Sequence, residues 1–149
     1  MPIVYTIVHE RRLVVARGRG EFTDADVFGY QQEVWSRADV AGYHELVDMT
    51  EVVAIALPST ERMRELAALS AGMDPPHDSA KMAIVAPQDF AFGLGRMYEA
   101  YRGFEPASKK EVGVFRTLRE ALEFLGLENL DLEISVYGAE GSRPRDGGA

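Results

Sequence analysis

Short runs of β-branched residues alternate with longer segments of helical periodicity along most of this chain. Two such runs come first, at residues 3–8 and 13–17, and the polar residues between them predict a β-hairpin. Three more strands are predicted, at residues 44–49, 80–86 and 111–115. Four helices are predicted between and after the strands, at residues 23–38, 59–71, 87–101 and 117–126. Because strand–helix–strand crossovers are right-handed, this order predicts an α/β fold: a mixed, mostly parallel sheet of about five strands with an antiparallel N-terminal hairpin.

Local signals indicate where the helices begin. Thr23 and Thr117 each open a sequence that resembles a capping box, in which a side chain satisfies free backbone N–H groups. Ser59 is placed to cap the second helix in a simpler way. Before Ser59, residues 50–57 are interpreted as an unusually apolar loop.

The composition excludes several classes of protein. The 149 residues include no cysteine, which excludes a disulfide scaffold, a zinc ribbon and a thiol nucleophile. His9, His44 and His77 have no metal-ligand spacing, so we expect no metal site and no cofactor. The net charge of −8 argues against a nucleic-acid partner, because phosphate binding needs clustered positive charge.

The apolar run at residues 3–8 is too short to span a membrane. It also lacks the preceding positive region of a signal peptide. We therefore expect a cytoplasmic protein without membrane insertion.

The C-terminal part of the chain differs from the rest. Residues 127–137 alternate apolar and polar side chains, which predicts an additional C-terminal strand. A lone strand is not stable, so it must pair with an exposed sheet edge of its own chain or of a partner. Residues 138–149 have the composition of a flexible tail.

Several segments together resemble one known family. They are Gly18, Gly20 and Thr23 before the first helix, E-L-V-D at residues 45–48, and the sequences at residues 83–100 and 114–126. In these segments the chain is similar to the SpoIIAA-like branch of the STAS superfamily, which also resembles the CRAL-TRIO lipid-transfer fold. The resemblance covers residues 1–126 and implies one STAS/SpoIIAA-like domain, followed by the extension at 127–137 and the tail.

The resemblance also draws attention to one serine. In anti-anti-sigma STAS proteins, a serine at the start of the helix after the third strand is phosphorylated, normally within Asp-Ser-Ser-Gly. Ser59 is the nearest match, but residues 56–61 read A-L-P-S-T-E and lack that Asp and Gly. The alternative is that Ser59 only caps the helix.

Open α/β sheets bind ligands beyond the carboxyl ends of their parallel strands. The polar candidates there are Asp48, Gln88, Asp89 and Arg116. Asp48 lacks the acidic pair and the lysine of a phospho-acceptor receiver domain, so we interpret it as a hydrogen-bond acceptor. Arg116 lies at a helix N-terminus suited to an anion, but carboxylates at neighbouring helix starts favour a structural ion pair instead.

The predicted helix at residues 87–101 is apolar on more than one face. Four of its residues are interpreted as core: Phe90, Leu94, Met97 and Tyr101. Phe92 and Tyr98 then face a ligand or a partner, together with Met63 and Leu66 of the preceding helix. Gly93 and Gly95 predict that this helix approaches another backbone or a ligand closely, since each glycine costs about 1 kcal/mol in a helix.

These observations favour a protein that is not an enzyme, since no nucleophile lies next to a base in the sequence. The first hypothesis is a STAS-like regulatory module that works through a protein partner or through self-association as a homodimer, by way of the helix at 87–101 and the strand at 127–137. The alternative is a small hydrophobic ligand-binding or lipid-binding protein with a pocket near the second and third helices. An open pocket lined by Phe92, Met63 and Leu66 would favour ligand binding, and a flat apolar patch buried by symmetry would favour self-association.

Overall fold

The computed structural model of the protein describes residues 3–56, 59–77 and 79–127. The strands of this part are β1 (Ile3–Val8), β2 (Leu13–Thr23), β3 (His44–Ala56), β4 (Lys81–Val85) and β5 (Glu111–Phe115). Its helices are α1 (Asp24–Trp35), α2 (Thr60–Gly72), α3 (Asp89–Gly103) and α4 (Leu118–Leu125).

The strands form one sheet in the order β1-β2-β3-β4-β5. β1 is antiparallel to β2, with Val8 opposite Leu13, and each later pair is parallel. Arg12 closes the hairpin in the left-handed backbone conformation, with φ at 50°. The predicted α/β fold, with its mixed sheet and antiparallel hairpin, is confirmed.

Helices cover both faces of the sheet. α1, α2 and α3 pack on one face, and α4 packs on the other. Alternate residues of β2 therefore belong to two cores: Val14 and Ala16 face α1, whereas Leu13 and Val15 face the side of α4. Burial on both sides is the reason that this strand reads as a continuous apolar run.

β2 and β3 are longer than the sequence predicts. Within the segment predicted as a loop, residues 50–56 instead continue β3 to its end and pair with the second half of β2. β3 pairs with β4 only as far as Asp48, so beyond that point β2 and β3 form a two-stranded ribbon. The register of the pairing between β2 and β3 shifts after Arg17 and again after Gly20. These shifts interrupt the alternation of apolar and polar residues by which a strand is predicted, so the sequence does not predict the ribbon. Val52 anchors the ribbon in the core that α2 and α3 share.

The predicted capping residues are confirmed at the helix starts. Thr23 and Asp26 form a capping box at α1. The side chains of Ser59 and Thr117 accept a hydrogen bond from the backbone N–H three residues further on, at α2 and α4. α1 ends at Trp35, three residues before its predicted end.

The C-terminal predictions fall almost entirely outside the described residues. This applies to the strand predicted at 127–137, apart from Leu127, and to the tail predicted at 138–149. Gly126 ends α4 in the left-handed conformation, with φ at 76°, and the Leu127 N–H donates to the Leu122 carbonyl at 2.8 Å.

Candidate functional site

An apolar cavity of about 120 Å³ lies between the sheet and the helices α1, α2 and α3. Ala16, Val47 and Ile84 form its floor as neighbours on β2, β3 and β4. The three helices form the roof, with Val27, Tyr30 and Gln31 from α1, Met63 and Leu66 from α2, and Leu94, Gly95 and Tyr98 from α3. Val27 and Leu94 are partly exposed, so the roof does not seal the cavity from solvent.

Small residues on β2 help to create this space. Ala16 occupies a central position of the floor, where a β-branched residue would extend into the cavity. Gly18, two residues further along the same strand, leaves room for the Phe22 ring, because a Cβ there would lie 2.8 Å from that ring. Because Ala16 and Gly18 are small, β2 has little side-chain volume directly beneath the helices.

The two glycines of α3 differ in what surrounds them. A Cβ on Gly95 would lie 3.0 Å from the Val114 side chain on β5, so the helix lies close to the sheet there, against a side chain and not the backbone or ligand that the sequence predicts. Gly93 is exposed and would meet nothing within 4 Å, so no close approach accounts for it.

This difference predicts opposite effects of alanine. Gly93→Ala is expected to raise the free energy of unfolding by up to about 1 kcal/mol, because alanine favours the helix. Gly95→Ala is expected to lower it, because the new methyl group presses on Val114 and separates α3 from the sheet. Urea unfolding of both variants measures the difference, and an equal gain at both sites would contradict the tight helix–sheet contact.

An ion pair joins the N-terminal ends of two roof helices. Arg62 of α2 donates to the carboxylate of Asp24 on α1, and its guanidinium lies 3.8 Å from the centroid of the Phe28 ring. The hydrogen bond from Arg62 lowers the pKa of Asp24. The contact holds α1 beside α2 above the cavity.

Polar side chains meet at the end of the cavity near the amino ends of the strands. Glu45, the second residue of β3, is only 3% exposed. Its carboxylate accepts a hydrogen bond from the Tyr30 hydroxyl at 2.8 Å and pairs with Lys110 Nζ at 3.4 Å. The Lys110 ammonium also lies 3.6 Å from the centroid of the Trp35 ring. Burial raises the pKa of Tyr30 well above its ordinary value, and the Glu45 charge adds to the shift, so Tyr30 keeps its proton.

A second buried network adjoins the first. The Tyr98 hydroxyl is 2.6 Å from Ser70 Oγ and accepts a hydrogen bond from Arg102 Nε at 3.0 Å. The Arg102 guanidinium pairs with Asp74 at 2.7 Å, and both side chains are buried. These contacts link α2, α3 and the segment that follows α2.

Asp74 connects the two networks. Its carboxylate accepts hydrogen bonds from the backbone N–H groups of Lys109 and Lys110, at 2.8 and 3.0 Å. Burial acts to raise the pKa of Asp74, but these bonds and the one from Arg102 outweigh it and hold the pKa below its ordinary value. The backbone contacts place Lys110 where its ammonium reaches Glu45.

The face that α3 turns to the sheet differs from the predicted one. Its buried residues are Ala91, Gly95, Tyr98 and Arg102. Phe90, interpreted as core, is 41% exposed, whereas Tyr98 is 7% exposed. Small residues let the helix axis approach the sheet, so the rotation of α3 follows Ala91 and Gly95 rather than the largest apolar side chains.

The predicted ligand or partner surface is divided in the structure. Met63, Leu66 and Tyr98 all line the cavity. Phe92 packs at the edge of the core instead, and the Arg116 guanidinium lies 4.0 Å from the centroid of its ring. Three of the four residues are therefore together, and Phe92 is separate.

The polar candidates at the carboxyl ends of the strands make local contacts. Asp48 accepts hydrogen bonds from the N–H and the hydroxyl of Thr50. Gln88 Nε2 donates to three carbonyl oxygens of β3, and Arg116 pairs with Asp89 at 2.8 Å. The Gln88 and Arg116 contacts join elements of the fold, whereas the Asp48 contact lies within β3, where Asp48 acts as a hydrogen-bond acceptor.

The sequence does not reveal the polar end of the cavity, because the ligand rule for open α/β sheets points to the opposite end, where the parallel strands have their carboxyl ends. One signal points to it: Glu45 shares a strand face with Val47, so the period-two pattern places a carboxylate on an otherwise apolar face. Its partner Lys110 lies 65 residues away in the sequence, and no local pattern connects the two.

Two absences hold for the described part of the chain. No group of three or more His, Asp or Glu side chains there is arranged to hold a metal ion. No helix within those residues is long and apolar enough to cross a membrane.

Comparison with known proteins identifies the fold. No protein-family model matches the chain, and no curated protein matches it. A solved structure does: an uncharacterised protein of the DUF3478 family from Shewanella loihica, described as having a SpoIIAA-like fold. The two chains are 19% identical with a TM-score of 0.52, and the match covers 83% of this chain and 93% of the other. Together with the strand order and the position of the helices, this likeness shows that the chain has a SpoIIAA-like fold.

Proposed function

We propose that this protein binds a small apolar molecule in the cavity beneath α1, α2 and α3. The lining carries the proposal: apart from Gln31, Glu45 and two tyrosine hydroxyls, the side chains around the cavity are apolar. An apolar space with a few polar groups at one end is typical of small-molecule sites. Of the two alternatives raised by the sequence, this arrangement favours ligand binding.

The volume limits the ligand. A cavity of about 150 Å³ with apolar walls binds benzene, whereas pockets for drug-sized molecules measure roughly 300–1,000 Å³. At about 120 Å³, the present cavity suits one ring or a short branched hydrocarbon. The proposal therefore retains the hydrophobic ligand and omits an extended lipid chain.

The energetics support a role for this space. Side chains that line an empty apolar cavity lack packing partners on one side, which lowers the stability of the fold. Domains of this kind are stable by only about 5–15 kcal/mol in total. A molecule that fills the cavity would recover part of that loss, so it is expected to stabilise the protein.

The proposal contains no catalysed reaction. The Glu45 carboxylate is engaged by Tyr30 and Lys110, which suits a structural role at the end of a binding site. A general base would instead need to reach a proton of the substrate. The absence of enzymatic activity accordingly remains part of the proposal.

Toluene is the direct probe of the cavity. Met49, Met63 and Met82 line it, whereas Met97 of α3 does not. Titration of protein labelled with ¹³C at the methionine methyl groups is expected to shift the first three resonances and to leave Met97 unchanged. Shifts of equal size at all methionines, or none up to the solubility limit, would overturn the proposal.

Partner binding and self-association remain predictions, and the surface of the described residues supports them less than the cavity supports ligand binding. Among the described residues, the exposed large apolar side chains are Val53, Phe90 and Phe104. Val53 lies on β3, whereas Phe90 and Phe104 lie at opposite ends of α3, roughly 21 Å apart along its axis. An interface needs a contiguous apolar patch, so the cavity is the better supported site.

A further inference from the structure

We infer that the cavity selects a single-ring molecule with one hydrogen-bond donor, a hydroxyl or an N–H group, and rejects a ring that carries a carboxylate. The inference rests on the proposed function, because it names which small molecules the same cavity takes. It follows from the donors and acceptors that remain at the polar end of the cavity.

The hydroxyls of the two tyrosines already make hydrogen bonds within the protein. A tyrosine hydroxyl carries one proton, and that of Tyr30 is donated to Glu45. The Tyr98 hydroxyl accepts a hydrogen bond from Arg102 Nε at 3.0 Å and lies 2.6 Å from Ser70 Oγ, where either oxygen can be the donor. The Tyr30 hydroxyl also accepts a hydrogen bond from Trp35 Nε1 at 3.2 Å, so both tyrosine hydroxyls are already engaged within the fold.

The remaining polar side chains offer acceptors. The Glu45 carboxylate has about four lone-pair sites, of which Tyr30 and Lys110 use two. Gln31 is buried and lines the cavity, and its Nε2 lies 3.5 Å from Met73 Sδ. Its amide oxygen makes no hydrogen bond to the described residues. The Gln31 oxygen is therefore the expected partner for a donor on the ligand.

A carboxylate would find no cation at this end of the cavity. The Lys110 ammonium already faces Glu45 and the Trp35 ring, and Arg102 is paired with Asp74. An unpaired anion is strongly disfavoured in a buried site, and the negative charge of Glu45 would repel it further. The same lack of free donors disfavours a ring whose polar atom is an acceptor.

Four probes of one size test the inference: phenol, toluene, pyridine and benzoate. The methyl resonances of Met49, Met63 and Met82 give a dissociation constant for each in neutral buffer. Phenol is expected to bind about tenfold more tightly than toluene, since a buried hydrogen bond contributes on the order of one such factor. Pyridine, which only accepts, is expected to bind more weakly than toluene, and benzoate is expected to cause no shift.

A pair of variants assigns the acceptor. Gln31→Leu is expected to remove the preference for phenol while toluene still binds. Gln32→Leu, one residue further along α1 and exposed, is expected to keep that preference. The unfolding midpoint of each variant shows whether it folds. The affinities for phenol and toluene are compared as a ratio within one protein, so a general loss of stability does not change the result.

The outcomes separate the inference from the proposed function. If toluene binds as tightly as phenol, or if pyridine or benzoate binds as tightly as phenol, the selectivity is wrong and the cavity remains a binding site. If no probe shifts the three cavity methionines, the proposed function itself is wrong. A preference for phenol that survives Gln31→Leu would overturn the role of Gln31.

Discussion

Replacing Asp74 with alanine is expected to lower the free energy of unfolding by about 3–5 kcal/mol, because it removes one partner of a buried ion pair. The side chains of Asp74 and Arg102 are each only 3% exposed, so the guanidinium would be left charged, buried and without its carboxylate. The backbone N–H groups of Lys109 and Lys110 would lose their acceptor as well. Urea unfolding followed by circular dichroism measures the change.

A matched control exists on the surface. Asp39 accepts two hydrogen bonds from Arg37, but the pair is largely exposed to solvent. Asp39→Ala is expected to change stability by less than about 1 kcal/mol, since exposed ion pairs contribute little. Equal losses from Asp39→Ala and Asp74→Ala would contradict a special role for burial.

Asp74 also contributes to the pH dependence of the free energy of unfolding. Burial acts against its charged form, yet the hydrogen bonds from Arg102 and two backbone N–H groups hold its pKa below the ordinary value of 3.8. The ionised carboxylate therefore stabilises the fold above about pH 4, and this contribution is lost as the pH falls through the folded-state pKa. Wild-type protein is expected to lose its advantage over Asp74→Asn between about pH 5 and pH 2. A constant difference across that range would contradict the lowered pKa.

Ala16→Leu is expected to abolish toluene binding. Ala16 lies on the floor of the cavity between Tyr5 and Val47, so a leucine there extends into the space that the ligand needs. Three added carbon atoms fill much of the cavity at about 0.8 kcal/mol for each buried CH₂, less any strain. The variant should therefore be as stable as the wild type or more stable, while the methyl shifts of Met49 and Met63 disappear.

Ala68→Leu is the control for this substitution. Ala68 is exposed on α2, so the same increase in volume does not reach the cavity. Toluene should bind this variant as it binds the wild type. Unchanged binding by Ala16→Leu would mean that the ligand sits elsewhere in the protein.

The helix α3 shows where sequence reasoning stops. Its existence was predictable from apolar periodicity, but its rotation was not, because several apolar side chains competed for the buried face. In the structure, the side of α3 that contains Ala91 and Gly95 faces the sheet, because the small size of these residues permits the closest approach. That rotation buries Tyr98 and places Phe92 outside the cavity.

The sequence alone determines the order of strands and helices, the hairpin and hence the fold class. It also determines the helix caps at Thr23, Ser59 and Thr117. These features depend on interactions within a few residues, or on the handedness that every crossover shares. The cavity and its polar end depend on the tertiary structure. Glu45 meets Lys110 and Asp74 meets Arg102 only after the sheet register and the helix rotations are set, because each pair joins residues that are far apart along the chain.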